Sequence, residues 1–174
     1  MKTNSVISFG LLFIVLVLVQ ALIFNQMRFN GYVNPYIYIL FILMLPIDIR
    51  GGLLLFLAFI LGLTVDMFLD TMGMHAAATV FLAFLRPGVI RLISVRSDFE
   101  PGTIPSINNQ GFRWIMTYSL LLIFAHHLLL FFVEIFRLSE FLQTLQRVLF
   151  STLFSFIFVI TGFFIAGKSY KSGN

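Results

Sequence analysis

An all-α, polytopic integral membrane bundle of about six transmembrane helices is the fold class this sequence predicts, and three observations predict it. Of the 174 residues 60% are hydrophobic and only 10% are charged, far more apolar surface than a soluble domain of this size needs. Mean hydropathy is +1.03. The apolar residues gather into runs close to the ~20 residues that cross a ~30 Å hydrocarbon core. The length allows five or six such runs and no extramembrane catalytic domain, so residues 1–174 read as one integral membrane domain.

The first span is Val6–Phe24. Met1-Lys2-Thr3 before it looks partly like a signal peptide. The run is long for a signal sequence, lacks a small-x-small cleavage site and is followed by further spans, so an uncleaved helix is expected. Residues 25–34 form a polar break. The second apolar run, Tyr36–Leu45, lies between Pro35 and Pro46 and as a helix reaches about half the core thickness. It crosses at a steep tilt, gains Tyr32-Val33, or forms a half-span. Asp48, Arg50, Gly51 and Gly52 make a turn.

The third span is Leu53–Leu69, and Asp70-Thr71-Met72-Gly73 turns tightly into the fourth, Met74–Ile93. Pro87 removes a helical hydrogen bond and is expected to kink or end that helix. Ser94–Gly111, rich in Ser, Pro, Gly and Asn, is the one long loop. The fifth span is Trp114–Val133 and the sixth Val148–Ala166. Between them, Glu134–Arg147 has apolar and polar residues at helical spacing. It either lies in the membrane interface or continues the fifth span into a solvated helical hairpin. The 23 phenylalanines read as lipid-facing bulk and packing.

Basic residues set the orientation. With the N-terminus inside and six crossings, Lys2, Arg50, Arg86, Arg91, Arg96, Arg113, Lys168 and Lys171 fall on or near the inside, against Arg28, Arg137 and Arg147 outside. That asymmetry predicts both termini in the cytoplasm. It accounts for the formal charge of +4 through basic loops, with no nucleic-acid partner. Cationic segments at Arg91–Arg113 and the termini suit anionic membrane lipid. Trp114, Tyr118, Tyr32 and Tyr36 are expected as interfacial anchors.

Asp66 is the most informative residue. A carboxylate at membrane depth costs about 2.5–3.5 kcal/mol on insertion scales, so it calls for a partner or a task. Ala58, Gly62, Asp66 and Asp70 recur every four residues and share a helical stripe. Small residues on such a stripe let a second backbone approach closely. The fourth span offers Ala76, Ala77, Ala78, Thr79 and Ala83 in return, with Gly73 in the turn. Asp66 is expected near the outer end of its span, accepting hydrogen bonds from the turn or a partner helix. Asp70 is expected to meet water.

Cysteine is absent, which excludes disulfides, thiolate metal sites and a cysteine nucleophile. His75, His126 and His127 lack ligand spacing, and adjacent helical histidines point about 100° apart. They read as polar residues of a bundle interior, with no metal and no cofactor. Arg86 is expected to snorkel to the inner surface or pair with an acid. There is no phosphate-binding glycine loop, no zinc-protease motif and no serine with a His and acid partner, so no enzyme is expected.

Phe59-Ile60-Leu61-Gly62-Leu63-Thr64-Val65-Asp66, followed by Thr71-Met72-Gly73-Met74-His75, resembles the rod shape-determining protein MreD family. The shared elements are Gly-x-x-x-Asp on an apolar helix, a glycine seven residues later and a following helix with small residues. Asn34-Pro35, the length and the six-span pattern resemble it too. The resemblance implies a non-enzymatic inner-membrane scaffold of the bacterial cell-wall elongation complex. It implies binding to MreC and association with MreB, RodA and a class B penicillin-binding transpeptidase. It further implies a fold similar to the substrate-binding components of energy-coupling-factor transporters. Gly62, Asp66 and Gly73 carry the family positions, and Ala58 joins them as a partner-binding or structural residue. The rival readings are a small-solute binding subunit of a transporter, which needs a polar pocket, and a membrane enzyme acting on lipid or peptide.

Overall fold

The computed structural model describes residues 3–26, 34–94, 99–135 and 141–171. Its long helices are α1 (Thr3–Leu22), α3 (Gly51–Leu69), α4 (Met74–Ile93), α6 (Phe112–Ile135) and α7 (Phe141–Lys171). All five are long and apolar enough to cross a membrane. The 19 residues of α3 span about 28 Å at 1.5 Å per residue, close to the hydrocarbon thickness. Phe56, Phe84, Leu92, Leu11 and Ile165 are exposed on the outer surface. Such a belt is unfavourable in water and suited to lipid. The described residues therefore form a polytopic helical bundle of the kind that sits in a membrane.

Neighbours follow the chain. α3 packs on α4, α4 on α6, α6 on α7, and α1 on α3. Phe24, in a short 3-10 turn after α1, meets Phe158 of α7 edge-on at 4.7 Å, which closes the ring of helices. The α3–α4 turn is tight because two residues adopt the left-handed conformation: Asp70 at φ 56° and Gly73 at φ 81°. Asp70 caps the C-terminus of α3 and is exposed.

The second predicted span differs from expectation. Within Tyr36–Leu45 only Leu40–Met44 (α2) is helical, and most of the segment is buried: Tyr38, Ile39, Ile42 and Leu43 are fully enclosed. Proline explains both ends. Pro35 and Pro46 donate no hydrogen bond, and the residue before a proline is driven to extended geometry, as Leu45 is. The segment still runs between the two ends of the bundle. Tyr38 meets His75, the second residue of α4, and Leu45 and Pro46 meet Arg86. Those levels lie about 16 Å apart along the helix. Five long helices thus surround one broken, buried crossing.

One end of the bundle gathers Phe24, Asn34, Leu69, Met74, Ile135 and Gln143. The opposite end gathers Val6, Pro46, Arg50 and Gly102, with Ser106 and Ala166 beside them. The start of α1 and the membrane-exit part of α7 therefore share an end, opposite the α3–α4 turn. The loop at that end is tied down by Ile47 N–H donating to the Thr103 carbonyl at 2.9 Å and Gly102 N–H to the Asp48 carboxylate at 3.0 Å. It also contains the one-turn helix α5 (Ile107–Gln110).

Of the two outcomes expected at Pro87, the helix does not end there: α4 runs on to Ile93, over the bounds of the fourth predicted span. Of the two readings left open for Glu134–Arg147, the described residues fit the helical continuation: Glu134 and Ile135 end α6, and Phe141–Arg147 start α7, continuous with the sixth predicted span. Tyr36 and Tyr118 are buried and anchor nothing at the interface. Tyr32, Arg28, Arg96, Arg137 and Lys2 lie outside the described residues.

Candidate functional site

A broken backbone at membrane depth exposes N–H and C=O groups, and each must find a partner within the protein. Side chains from four helices supply them. From α1, Gln20 donates to the Pro35 carbonyl at 3.3 Å and accepts from Ile37 N–H at 2.8 Å. From α7, Ser151 accepts from Asn34 N–H at 3.2 Å and Ser155 from Tyr36 N–H at 2.8 Å. From α6, the Tyr118 hydroxyl donates to the Leu43 carbonyl at 3.1 Å. From α4, Arg86 donates to the Pro46 carbonyl at 3.2 Å and to the Leu45 carbonyl.

Arg86 corrects the sequence expectation. It neither snorkels to the surface nor pairs with an acid: it is 1% exposed, and its third contact is Nε donating to the Tyr118 hydroxyl at 2.7 Å. The guanidinium presents a rigid fork of donors, which suits the consecutive carbonyls of Leu45 and Pro46. Gly162 of α7 leaves room for the Leu40 side chain, which would meet any Cβ placed there.

The middle of the crossing carries aromatic and imidazole groups. The Tyr38 hydroxyl lies 3.0 Å from His75 Nδ1 and 2.8 Å from His126 Nε2, joining α4 to α6. His127 Nε2 lies 3.0 Å from Ser155 Oγ, and its Nδ1 lies 2.8 Å from the Ile123 carbonyl. The Tyr36 ring packs against His75, His126, His127 and Phe131 at centroid distances of 5.1, 6.2, 5.4 and 6.2 Å. Ser155–His127 has the contact distance of a nucleophile and its base. However, both residues are fully buried, and the second histidine nitrogen faces a backbone carbonyl where a catalytic acid would be needed. No group of three His, Cys, Asp or Glu suited to a metal occurs among the described residues.

Asp66 lies at the head of the hairpin, 3% exposed. Its Oδ1 accepts from the Thr71 hydroxyl at 2.5 Å and from His75 N–H at 3.0 Å, and its Oδ2 from Ala76 N–H at 2.9 Å. Gly73, the residue preceding α4, has no side chain to cap the helix. The carboxylate on α3 takes that role and faces the positive end of α4. Four residues earlier, a Cβ at Gly62 would lie 2.6 Å from the His75 carbonyl oxygen and 2.7 Å from Ala76 N. Only glycine permits that approach. Ala58, Gly62 and Asp66 are all buried on the α4-facing side of α3, while a Cβ at Gly73 would meet nothing within 4 Å. The small-residue stripe therefore shapes the hairpin from within and offers no outer surface itself.

Above this core is a cavity of about 470 Å³ at the end that holds the α3–α4 turn. Tyr36 and His75 line it, together with Gln20, Thr71, Glu134 and Arg147. Arg147 Nη1 and Glu134 Oε1 are 3.1 Å apart, and the Arg147 guanidinium lies over the Phe131 ring at 4.2 Å.

The spacing rules found Asp66 and Gly62 because one helix carries both. They missed the convergence of His75, His126, His127, Tyr36, Tyr38 and Ser155. Those groups come from four separate segments, and only an interior crossing of Tyr36–Leu45 brings them together. The signal available in the sequence was the pair of prolines bracketing a run too short to span, with polar residues on the other spans to receive its backbone.

Fold and site together define a polytopic helical membrane protein with a polar interior organised around a broken crossing. No family model, no curated protein and no solved structure matches the chain.

Proposed function

We propose that this protein is a non-enzymatic scaffold of the bacterial rod complex, resembling MreD. In this reading it sits in the inner membrane with both termini cytoplasmic and the α3–α4 turn outside. The observation that carries the reading is the hairpin itself. Gly62, Asp66 and Gly73, the positions of the family resemblance, each have a physical task in one rigid unit. That unit holds the outer face of α3, with Phe56, Phe59, Leu63 and Met67 exposed, in a fixed relation to α4. A preorganised apolar face suits a transmembrane helix of MreC, because association in lipid depends on packing. Such a platform works through shape, and the ionisable groups of the interior are directed at holding the chain.

The test is photo-crosslinking in rod-shaped cells from Phe59, Leu63 and Met67, with Leu120 on α6 as the comparison position. Capture of MreC from the α3 positions is the expected result. No MreC capture from the α3 positions, or capture that Gly62→Leu leaves unchanged, would remove the basis of the proposal. A second reading, a small-solute binding subunit of a transporter, is favoured by the polar cavity of about 470 Å³. That volume falls within the roughly 300–1,000 Å³ of small-molecule sites.

A further inference from the structure

The cavity at the outer end combines features that a gap between helix ends does not require. Its floor is Tyr36 and His75, both buried. His75 is held through Nδ1 by the Tyr38 hydroxyl at 3.0 Å. One wall is Gln20, 1% exposed and fixed by its two hydrogen bonds to the backbone of the broken crossing. Among the described residues that line the cavity, the charged side chains are Glu134 of α6 and Arg147 of α7, 3.1 Å apart. Arg147 is steadied by the Phe131 ring beneath it. The pair is partly exposed, at 36% and 16%, so a ligand entering from that end reaches it.

The charges narrow the ligand class. A simple anion drawn to Arg147 would lie against the Glu134 carboxylate, and a simple cation drawn to Glu134 would lie against the guanidinium. A molecule carrying both charges a few bonds apart meets each with its complement. The Tyr36 and His75 rings, set at 71° to each other, border the cavity and offer their edges to the body of such a molecule, and the volume of about 470 Å³ is in the range of small-molecule sites. We propose that this cavity binds a small zwitterion, an α-amino acid or short peptide. Its carboxylate is on Arg147, its ammonium on Glu134 and its backbone is over Tyr36 and His75. The inference rests on the solute-binding reading and is independent of the docking face on α3.

The experiment is thermal unfolding of the purified full-length protein in lipid nanodiscs. The probes are glycine, alanine, glutamine and dialanine, with N-acetylalanine, alaninamide and the uncharged solute glycerol as comparisons. The expected result is a saturable rise in Tm with at least one zwitterion. N-acetylalanine and alaninamide, each lacking one charge, should bind about tenfold more weakly or worse, a difference of about 1.4 kcal/mol. Arg147→Gln and Glu134→Gln, both at partly exposed positions, should each abolish the rise while leaving the ligand-free protein folded. Titration calorimetry on the wild type supplies the same test without a variant. Equal stabilisation by the blocked analogues overturns the zwitterion assignment and leaves the solute-binding reading standing. No stabilisation by any probe, with no calorimetric heat, overturns the assignment and counts against the solute-binding reading as well.

Discussion

At the scale of single residues, the costly groups are those whose polar atoms lie furthest from water. Asp66 accepts three hydrogen bonds from the turn and the first turn of α4. Asp66→Ala leaves two buried backbone N–H groups without their acceptor, and the expected loss is about 2–4 kcal/mol. Asp66→Asn keeps one acceptor oxygen and should lose less. Gly62→Ala must push the α3 and α4 backbones apart, at about 1–3 kcal/mol. Gly52→Ala, where a Cβ meets nothing within 4 Å, should be neutral or slightly stabilising. Unfolding titrations in mixed micelles, comparing the two alanine variants, check this; equal effects would contradict the close approach at Gly62. Arg86→Lys retains the charge but not the fork, so it should destabilise measurably in the same assay although the change is chemically mild.

At the scale of elements, Tyr36–Leu45 is the part that its own sequence supports least. It is too short for a span and too interrupted for a helix, and it persists because neighbouring helices satisfy its backbone. Gln20→Leu on α1 removes two of those bonds at once. The expected loss is about 2–5 kcal/mol, since a buried carbonyl and a buried N–H are both left unpaired at about 1–3 kcal/mol each. Leu22→Ala, two residues on and 69% exposed, should change little. Hydrogen exchange followed by mass spectrometry should locate the Gln20→Leu effect at residues 34–37; uniform loosening of α1 instead would contradict this assignment. The Pro46 end shows the same logic: α2 stops at Met44, Arg86 takes the Leu45 and Pro46 carbonyls and Tyr118 the Leu43 carbonyl.

At the scale of the whole molecule, the ends of the bundle are chemically distinct. Met72 at the α3–α4 turn is fully exposed, and Asn108 is exposed at the opposite end. Because the chain has no cysteine, Met72→Cys and Asn108→Cys each place a single thiol. A membrane-impermeant maleimide should label the first in intact spheroplasts and the second only after permeabilisation. Labelling of both from the same side would contradict the proposed topology. The large spans were legible because lipid sets their length and composition directly. Gly62 and Asp66 were legible because spacing along one helix places them on one stripe. The buried role of Arg86 and the meeting of three histidines around two tyrosines were not, since those depend on which helices become neighbours.

Local physics therefore determines much of this protein. Apolar runs of bilayer length make α1, α3, α4, α6 and α7, and glycine at residue 73 permits the turn between α3 and α4. Asp66 announces itself by the cost of a charge within an apolar helix. Tertiary structure alone decides that Tyr36–Leu45 runs inside the bundle as a broken crossing, because the backbone groups that its own turns leave over, from Asn34 to Pro46, are met by Gln20, Ser151, Ser155, Arg86 and Tyr118. These five side chains come from α1, α4, α6 and α7, and no period within a single helix records their meeting.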